Sequence, residues 1–258
     1  SVQSAVNSDA VFAPILGIYV MGSFGSISQT SASDLDIWIC HQDDLSEQDQ
    51  QRLAEKTKKI TQWASTFHVE MHFYLMTQKR FRNERYSDPL TKENSGSAQY
   101  MLLLEEFYRS AVRLAGKPLL WLHLWVEDEK QYEAEVSRLV AAGELNPNDW
   151  VDFGGLGQFS ASEYFGASLW QLYKGIDSPY KSVMKILLLE TYAQEYPNAH
   201  LIARQFKEDL LSGRSTAAHH FDPYIAILER ISQYLTAHSE FKRLDFVRSC
   251  FYVKATED

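Results

Sequence analysis

Apolar side chains group into short runs over the first part of the chain, in lengths that suit β-strands. Residues 15–21 form an apolar run, residues 35–40 form another around one Asp, and residues 69–75 alternate apolar with polar side chains. These patterns predict three strands, because successive side chains of a strand point to opposite faces. The Gly-Ser pair that follows residue 21 predicts a turn at the end of the first strand.

A helical pattern lies between the second and third predicted strands. It begins at a capping-box-like pair, Ser46 and Asp49. Apolar side chains then recur at near-heptad spacing, namely Leu53, Ile60 and Phe67, with Trp63 alongside. This spacing predicts one helix with one buried apolar stripe.

The rest of the chain is predominantly helical in pattern. Residues 84–97 predict a loop, a long helix from about Ser97 to Ala115 ends at Gly116, and residues 118–126 predict a fourth strand. Later helices start at Ser160, at Ser178-Pro179 and within residues 199–255. We therefore predict an α/β lobe over residues 1–126 and a mostly helical lobe over residues 127–258.

Composition and charge narrow the classes of function. The 258 residues include 25 Lys and Arg against 34 Asp and Glu, a formal net charge of −9 at pH 7. Long nucleic acids are held by clustered cations, so this balance argues against a nucleic-acid polymer as a partner. A small anionic ligand held by a few placed lysines remains compatible with it.

The cysteines and the N-terminal residues bear on the cellular compartment of the protein. Cys40 and Cys250 are far apart in sequence, which disfavours a disulfide framework and suits a reducing cytoplasm. No apolar run reaches the roughly 18 residues of a membrane span, and no signal-peptide pattern opens the chain. We expect a cytoplasmic chain without membrane insertion, and the missing initial Met indicates a piece of a longer protein.

Three acidic residues carry the strongest chemical signal. Asp34 and Asp36 are two positions apart on the second predicted strand, so their carboxylates share one face. Two such carboxylates beside apolar neighbours repel each other and favour a cation between them, and Mg²⁺ prefers oxygen ligands of this kind. Glu70, on the third predicted strand, offers a third carboxylate. Three carboxylates on adjacent strands can hold two metal ions roughly 3.5–4 Å apart for a displacement at phosphorus.

The turn at Gly22 and Ser23 suits a phosphate group. Glycine lets the backbone approach a phosphate closely, and the turn can direct N–H groups and the Ser23 hydroxyl toward it. The combination is more specific than its parts: a strand, Gly-Ser, ten residues, Asp-x-Asp on a strand, and a Glu on another. It predicts a functional site rather than an ordinary turn.

This combination resembles the nucleotidyltransferase superfamily that includes DNA polymerase β and the poly(A) polymerases. More closely, residues 19–23 (Tyr-Val-Met-Gly-Ser) and 33–38 (Ser-Asp-Leu-Asp-Ile-Trp) resemble the class I adenylate cyclases of enteric and related bacteria. The resemblance continues through residues 103–109, 112–117, 163–174, 177–181 and 222–224, and so covers nearly the whole chain. It implies an α+β fold: a small mixed sheet with helices, a mostly helical lobe, and an active-site cleft between them.

The resemblance also implies an activity, the conversion of ATP to cyclic AMP and pyrophosphate. Two Mg²⁺ or Mn²⁺ ions held by Asp34, Asp36 and Glu70 would lower the pKa of the ribose 3′-hydroxyl and bridge the phosphates. Whether Glu70 is a metal ligand or a general base stays open. Full-length members carry a regulatory region and are expected to respond to a sugar-transport phosphocarrier protein, neither of which is expected to act through this piece.

Further nucleotide contacts are implied by position in the matching blocks. Ser33 adjoins the Asp-x-Asp pair, Lys117 is placed at the phosphates, and Asp222 near the ribose or a metal. The counterparts of the lysines and aromatic that hold triphosphate and base in related nucleotidyltransferases are Lys174, Tyr180 and Lys181. Surface lysines and a core tyrosine are the ordinary alternative for these three.

Two other functions fit the same residues. One is a transferase that adds AMP to a small acceptor, and the other is a non-catalytic module that senses nucleotide. The intact set of Asp34, Asp36 and Glu70 argues against the second, because a chain without catalysis has no need to keep three carboxylates together.

Overall fold

A four-stranded sheet carries the first part of the chain in the computed structural model, which describes residues 14–31, 33–84, 100–157, 159–213 and 221–256. Its strands are β1 (Ile15–Met21), β2 (Leu35–His41), β3 (Met71–Met76) and β4 (Val112–Gly116). Their order across the sheet is β3-β2-β1-β4. β1 is antiparallel to β2 and β4, whereas β2 and β3 are parallel, so the sheet is mixed, as predicted.

Helices make up most of the remaining described chain. In chain order they are α1 (Glu47–Ser65), α2 (Gln78–Glu84), α3 (Tyr100–Ser110), α4 (Tyr132–Ala141), α5 (Ala161–Lys174), α6 (Pro179–Gln194), α7 (Ile202–Ser212), α8 (Pro223–Ala237) and α9 (Phe241–Thr256). The predicted α+β fold with a mostly helical second part is confirmed.

The predicted helix starts have recognisable caps. The Ser46 hydroxyl accepts a hydrogen bond from the backbone N–H of Asp49 at the start of α1. Ser160 and Glu163 form a complete capping box at the start of α5. Pro179 opens α6 as predicted, and its fixed φ suits the first turn of a helix.

The predicted helix over residues 97–115 is too long. α3 ends at Ser110, and the residues that follow form β4, which pairs with β1. This pairing satisfies the backbone groups of β1 that would otherwise be left open at a sheet edge. Gly116, with φ of +81°, lies against the Leu16 carbonyl with no room for a Cβ. The start predicted at Ser97, and all but the first residue of the loop predicted at 84–97, lie outside the described residues.

The fourth strand predicted at residues 118–126 is wrong. Leu119 makes an isolated bridge to Val151, and Leu120–Leu122 form a 3₁₀ turn. The apolar run there fills the core instead, because Trp121 is fully buried. The sequence pattern of a strand and that of a buried irregular segment are the same when both faces are covered.

The core continues from the sheet into the helices. Trp38 on β2 stacks on Phe107 of α3, with 4.2 Å between ring centroids. The same buried cluster extends to Met184 on α6 and Ile227 on α8. One buried core therefore extends through both predicted lobes. The boundary near residue 126 stays a prediction. Among the described helices, none combines the length and apolarity needed to cross a membrane.

The apolar stripe predicted to be buried on α1 is instead largely exposed. Ile60, Trp63 and Phe67 are 41%, 62% and 61% exposed, and Trp63 packs edge-on against Phe67. The buried positions of the helix are Thr57 and Ala64. Leu53, the first side chain of the predicted stripe, is half-buried and packs against the apolar cluster of the sheet. Near-heptad spacing thus identified only part of the face that packs on the sheet.

α5 and the turn after it carry a second exposed apolar stripe. Its side chains recur at intervals of three and four residues, so they lie on one side of the helix. They are 51% to 77% exposed: Phe165, Leu169, Leu172, Tyr173 and Ile176. The buried side chains of the same helix include Ala167 and Gln171, on the opposite side.

Candidate active site

Asp34 and Asp36 face a cleft of about 940 Å³ between the sheet and helices α5 and α6. Asp34 immediately precedes β2, and Asp36 pairs in register with Met21 at the end of β1 and with His72 on β3. Both carboxylates line the cleft, as their shared strand face predicts. Burial raises the pKa of Asp36, and the Asp34 carboxylate raises it further.

Glu70 lines the same cleft but precedes β3, which begins at Met71. Its backbone carbonyl accepts a hydrogen bond from the Leu35 N–H (2.9 Å), which anchors it beside β2. Its side chain is 69% exposed and pairs with His72 Nε2 at 3.0 Å. The structure therefore brings Glu70 to the cleft, with its carboxylate turned to His72.

The aspartate pair fits a hard divalent cation. Burial opposes the charged form of Asp36, and the negative charge of Asp34 adds to that cost, so a cation between them would relieve both. Carboxylate oxygens are the ligands that Mg²⁺ and Mn²⁺ prefer. Over the part of the chain that the structure describes, no group of three His, Cys, Asp or Glu side chains is preassembled for a metal ion. Two carboxylates are thus in place, and a third ligand would have to turn toward them.

Two lysines of α6 face the aspartates. Lys181 Nζ lies 3.8 Å from Asp34 Oδ1, and Lys185, one turn further on, pairs with Glu106 Oε1 at 2.5 Å. The pKa of Lys181 is raised, first by the Tyr224 phenol and then by the Asp34 carboxylate. Lys181 is therefore the cation that is available to a ligand, whereas Lys185 is held by Glu106.

Lys174 and Tyr180 lie on the wall of the cleft that α5 and α6 form. Lys174 Nζ lies 5.6 Å from the ring centroid of Trp170, a cation–π arrangement. Tyr180 is 39% exposed and its ring borders the same space. This wall combines aromatic rings with a cation, which suits a base and the phosphates attached to it.

The Gly-Ser turn after β1 lies beside Asp36. Gly22 has φ of +94°, and the nearest atom to an added Cβ would be Asp36 Oδ2 at 4.0 Å. Its N–H donates to Ser110 Oγ (3.1 Å), and Ser23 is buried. Ser33 lines the cleft and accepts a hydrogen bond from the Thr30 N–H through its hydroxyl (3.0 Å).

Four predicted site residues lie outside the cleft lining: Gly22 and Ser23, in the turn after β1, and also Lys117 and Asp222. Lys117 follows β4 where Gly116 pairs with Gly17, about 13 Å along β1 from Met21 at the site end. Asp222 is the N-cap of α8 and accepts a hydrogen bond from the Ile27 N–H. The structure thus does not bring the side chain of Lys117 or Asp222 to the carboxylates.

Sequence reasoning missed two neighbours of the site. The Tyr74 hydroxyl donates to Asp36 Oδ1 (3.3 Å), and burial followed by the Asp36 charge raises the pKa of Tyr74 to about 12. Alternation along β3 could have found Tyr74, since it shares a face with His72. Glu106 gave no local signal, because its partner Lys185 is 79 residues away in sequence.

Comparisons with known proteins agree on one family. A model described as "Adenylate cyclase NT domain" matches residues 2–122, and one described as "Adenylate cyclase, class-I, second domain" matches residues 159–258. The adenylate cyclase of Haemophilus influenzae is 74% identical over the whole chain, and that of Escherichia coli is 51% identical over 95% of it. The chain spans 31% and 28% of the length of these relatives.

One solved structure shares little with the chain. The spectinomycin adenyltransferase AAD(9) from Enterococcus faecialis, determined with ATP and spectinomycin, aligns over 93% of this chain and 92% of its own. It has 13% identical residues and a TM-score of 0.38, a similarity too small to define a common fold.

Proposed function

Because the chain belongs to the class I adenylate cyclase family, we propose that it converts ATP to 3′,5′-cyclic AMP and pyrophosphate. The observation that carries this proposal is the placement of Asp34, Asp36 and Lys181 around one cleft. Two carboxylates and a cation at one point suit a metal-bound triphosphate, which needs both negative ligands for the metal and positive charge for the phosphates.

Asp34 and Asp36 would hold Mg²⁺ or Mn²⁺, and Glu70 would join them as a third ligand or act as a base. When bound, the metal ions supply positive charge that lowers the pKa of the ribose 3′-hydroxyl and stabilises the leaving pyrophosphate. Glu70 can take either role after its carboxylate leaves His72 Nε2, which now lies at 3.0 Å.

The chemistry requires positioning more than a reactive side chain. The 3′-oxygen attacks the α-phosphorus of the same molecule, the bond from that phosphorus to the β-phosphate oxygen breaks, and the hydroxyl proton passes to Glu70 or, if Glu70 is a metal ligand, to water. The protein must therefore fold the ribose back over its own phosphate. We assign the phosphates to Lys181 and the Gly22-Ser23 turn, and the base to the wall formed by Trp170 and Tyr180.

The test is product analysis of the purified chain with ATP and Mg²⁺ or Mn²⁺, by mass spectrometry. We expect cyclic AMP and pyrophosphate from the wild type and from Asp43→Asn, a control at an exposed aspartate. Asp34→Asn should yield neither product while keeping the wild-type circular dichroism spectrum. ATP left unchanged by the wild type, with both metals present, would contradict the proposal.

We propose that the regulation of the longer family members acts outside this cleft. The chain spans less than a third of its relatives, so their remaining residues can carry the control elements. Control by a sugar-transport phosphocarrier protein, which the resemblance implies, stays a prediction for those longer proteins.

A further inference from the structure

The turn that follows β1 is held by several hydrogen bonds among its own residues, none of which involves the Ile27 N–H. Residues 22–28 close on themselves through the Ser26 N–H and hydroxyl, which both donate to the Ser23 carbonyl at 3.0 and 2.7 Å. The next part of the turn, at Ile27, has a backbone N–H that points away from these contacts. A turn that must present backbone groups to a phosphate needs this end fixed as well.

Asp222, from a distant part of the sequence, accepts the hydrogen bond that holds this end of the turn. Its Oδ2 accepts a hydrogen bond from the Ile27 N–H at 2.7 Å, across 195 residues of sequence. Its Oδ1 accepts from the N–H groups of Tyr224 and Ile225 at 2.9 and 3.0 Å, which caps α8. One carboxylate thus ties the turn beside Asp36 to the first turn of a helix.

α8 also packs against a helix that lines the cleft. It packs on α6, the helix that carries Lys181, and its buried Tyr224 interacts electrostatically with Lys181. The Asp222 carboxylate therefore joins the turn beside Asp36 to the helix that packs behind Lys181.

We propose that Asp222 is a positioning residue that sets the placement of the Gly-Ser turn relative to Lys181. It acts through Ile27 rather than on the nucleotide or the metal, because its side chain does not line the cleft and both its oxygens accept backbone hydrogen bonds. This inference rests on the proposed cyclase function, because it assigns the turn and Lys181 to the phosphates of ATP.

Asp222→Ser separates the two contacts. Serine is a good helix N-cap, so α8 keeps its cap, but the shorter side chain has no second oxygen to reach the Ile27 N–H. Asp222→Ala removes both contacts. Asp128→Ser is the matched control, because Asp128 caps a 3₁₀ turn through the Lys130 N–H and does not line the cleft.

The experiment combines hydrogen exchange with kinetics on the purified chain. We expect Asp222→Ser to lose protection in a peptide spanning residues 22–31, with an unfolding midpoint near that of the wild type. The kcat for cyclic AMP should fall at least tenfold, since small misplacement of reacting groups is costly, with a smaller change in KM for ATP. Asp128→Ser should match the wild type in all three.

The outcomes separate this inference from the proposed function. Lost protection with unchanged kcat would overturn the positioning role, as would retained protection in Asp222→Ser. A wild type that makes no cyclic AMP while the residue 22–31 peptide is protected would overturn the function and, with it, the role assigned to Asp222. A midpoint that falls as far in Asp222→Ser as in Asp222→Ala would show a purely structural cap and would also overturn it.

Discussion

Lys181 Nζ lies 3.8 Å from Asp34 Oδ1, so a helix of the second half of the chain places a cation against the carboxylates of the first. The two residues are far apart in sequence and meet because α6 packs into the same core as β2. The side chains are 21% and 34% exposed, so both remain accessible to a ligand that enters the cleft. The Lys181–Asp34 pair therefore places a positive and a negative side chain next to each other in the cleft.

Replacing Asp36 should remove activity without harming the fold. Asp36→Asn keeps the side-chain volume but removes one of two adjacent negative charges, and the raised pKa of Asp36 shows that its charged form is unfavourable. In EDTA we expect an unfolding midpoint equal to or above that of the wild type, together with a loss of at least about 10²-fold in kcat. Calorimetry and a cyclic AMP assay measure the two effects. A lower midpoint would contradict this account of Asp36.

Lys181 and Lys117 can be compared by matched substitutions. Lys181→Met should raise KM for ATP about tenfold or more, because it removes the cation beside Asp34. Lys117→Met should change KM and kcat by less than about twofold, because Lys117 lies at the other end of the sheet. Steady-state kinetics decide the matter, and a larger effect at Lys117 would restore the position that the family resemblance implies.

The Glu106–Lys185 pair should give the chain an acid-sensitive part of its stability. Burial alone would raise the pKa of Glu106, but Lys185 and then Arg109 lower it from 4.5 to about 2. A lowered carboxyl pKa stabilises the fold above pH 4.5, and that contribution is lost as pH falls toward 2.

Urea unfolding between pH 3 and 7 measures this contribution. Glu106→Gln should cost about 3–5 kcal/mol of unfolding free energy at pH 7, and the difference from wild type should shrink toward pH 3. Asp245→Asn, at an exposed ion pair, is the control and should show little difference at any pH. A difference for Glu106→Gln that is constant with pH would rule out the ion pair as its cause.

Lys207 predicts a second rise of stability with pH, at alkaline pH. It is fully buried beside Trp121 and Glu129, and burial lowers its pKa from 10.5 to about 8. Between pH 8 and 10.5 the unfolded chain binds this proton more strongly than the folded chain, so stability rises with pH in that window. The wild type should therefore gain stability relative to Lys207→Met between pH 8 and 10, as measured by denaturant unfolding. Lys130→Met, at an exposed lysine, should show no such trend.

Local rules predicted the carboxylates because local geometry decides their placement. Asp34 and Asp36 share a face through the two-residue period of a strand, which needs no contact with a distant residue to be read from the sequence. The capping box at Ser160 and Glu163 is equally local. Glu70 reached the right cleft for the same reason, although its orientation toward His72 depends on side-chain pairing that the period does not encode.

Contacts between segments that are distant in sequence could not be predicted from the sequence. Asp222 meets Ile27, and Glu106 meets Lys185, only after the helices have packed on the sheet. The strand Val112–Gly116 was missed because its partner, β1, lies nearly a hundred residues earlier and decides the conformation against the helical pattern. Lys181 was identified from a family resemblance, since nothing in its neighbours indicates the carboxylate it faces.

The exposed apolar side of α5 has a practical consequence for these measurements. Fluorescent dyes report unfolding by binding the apolar surface that unfolding exposes. The stripe from Phe165 to Ile176 already exposes such surface on the native chain. A dye-based melt would then start from a high baseline and flatten the transition. Ellipticity at 222 nm follows the helices themselves and gives the unfolding midpoint free of that background.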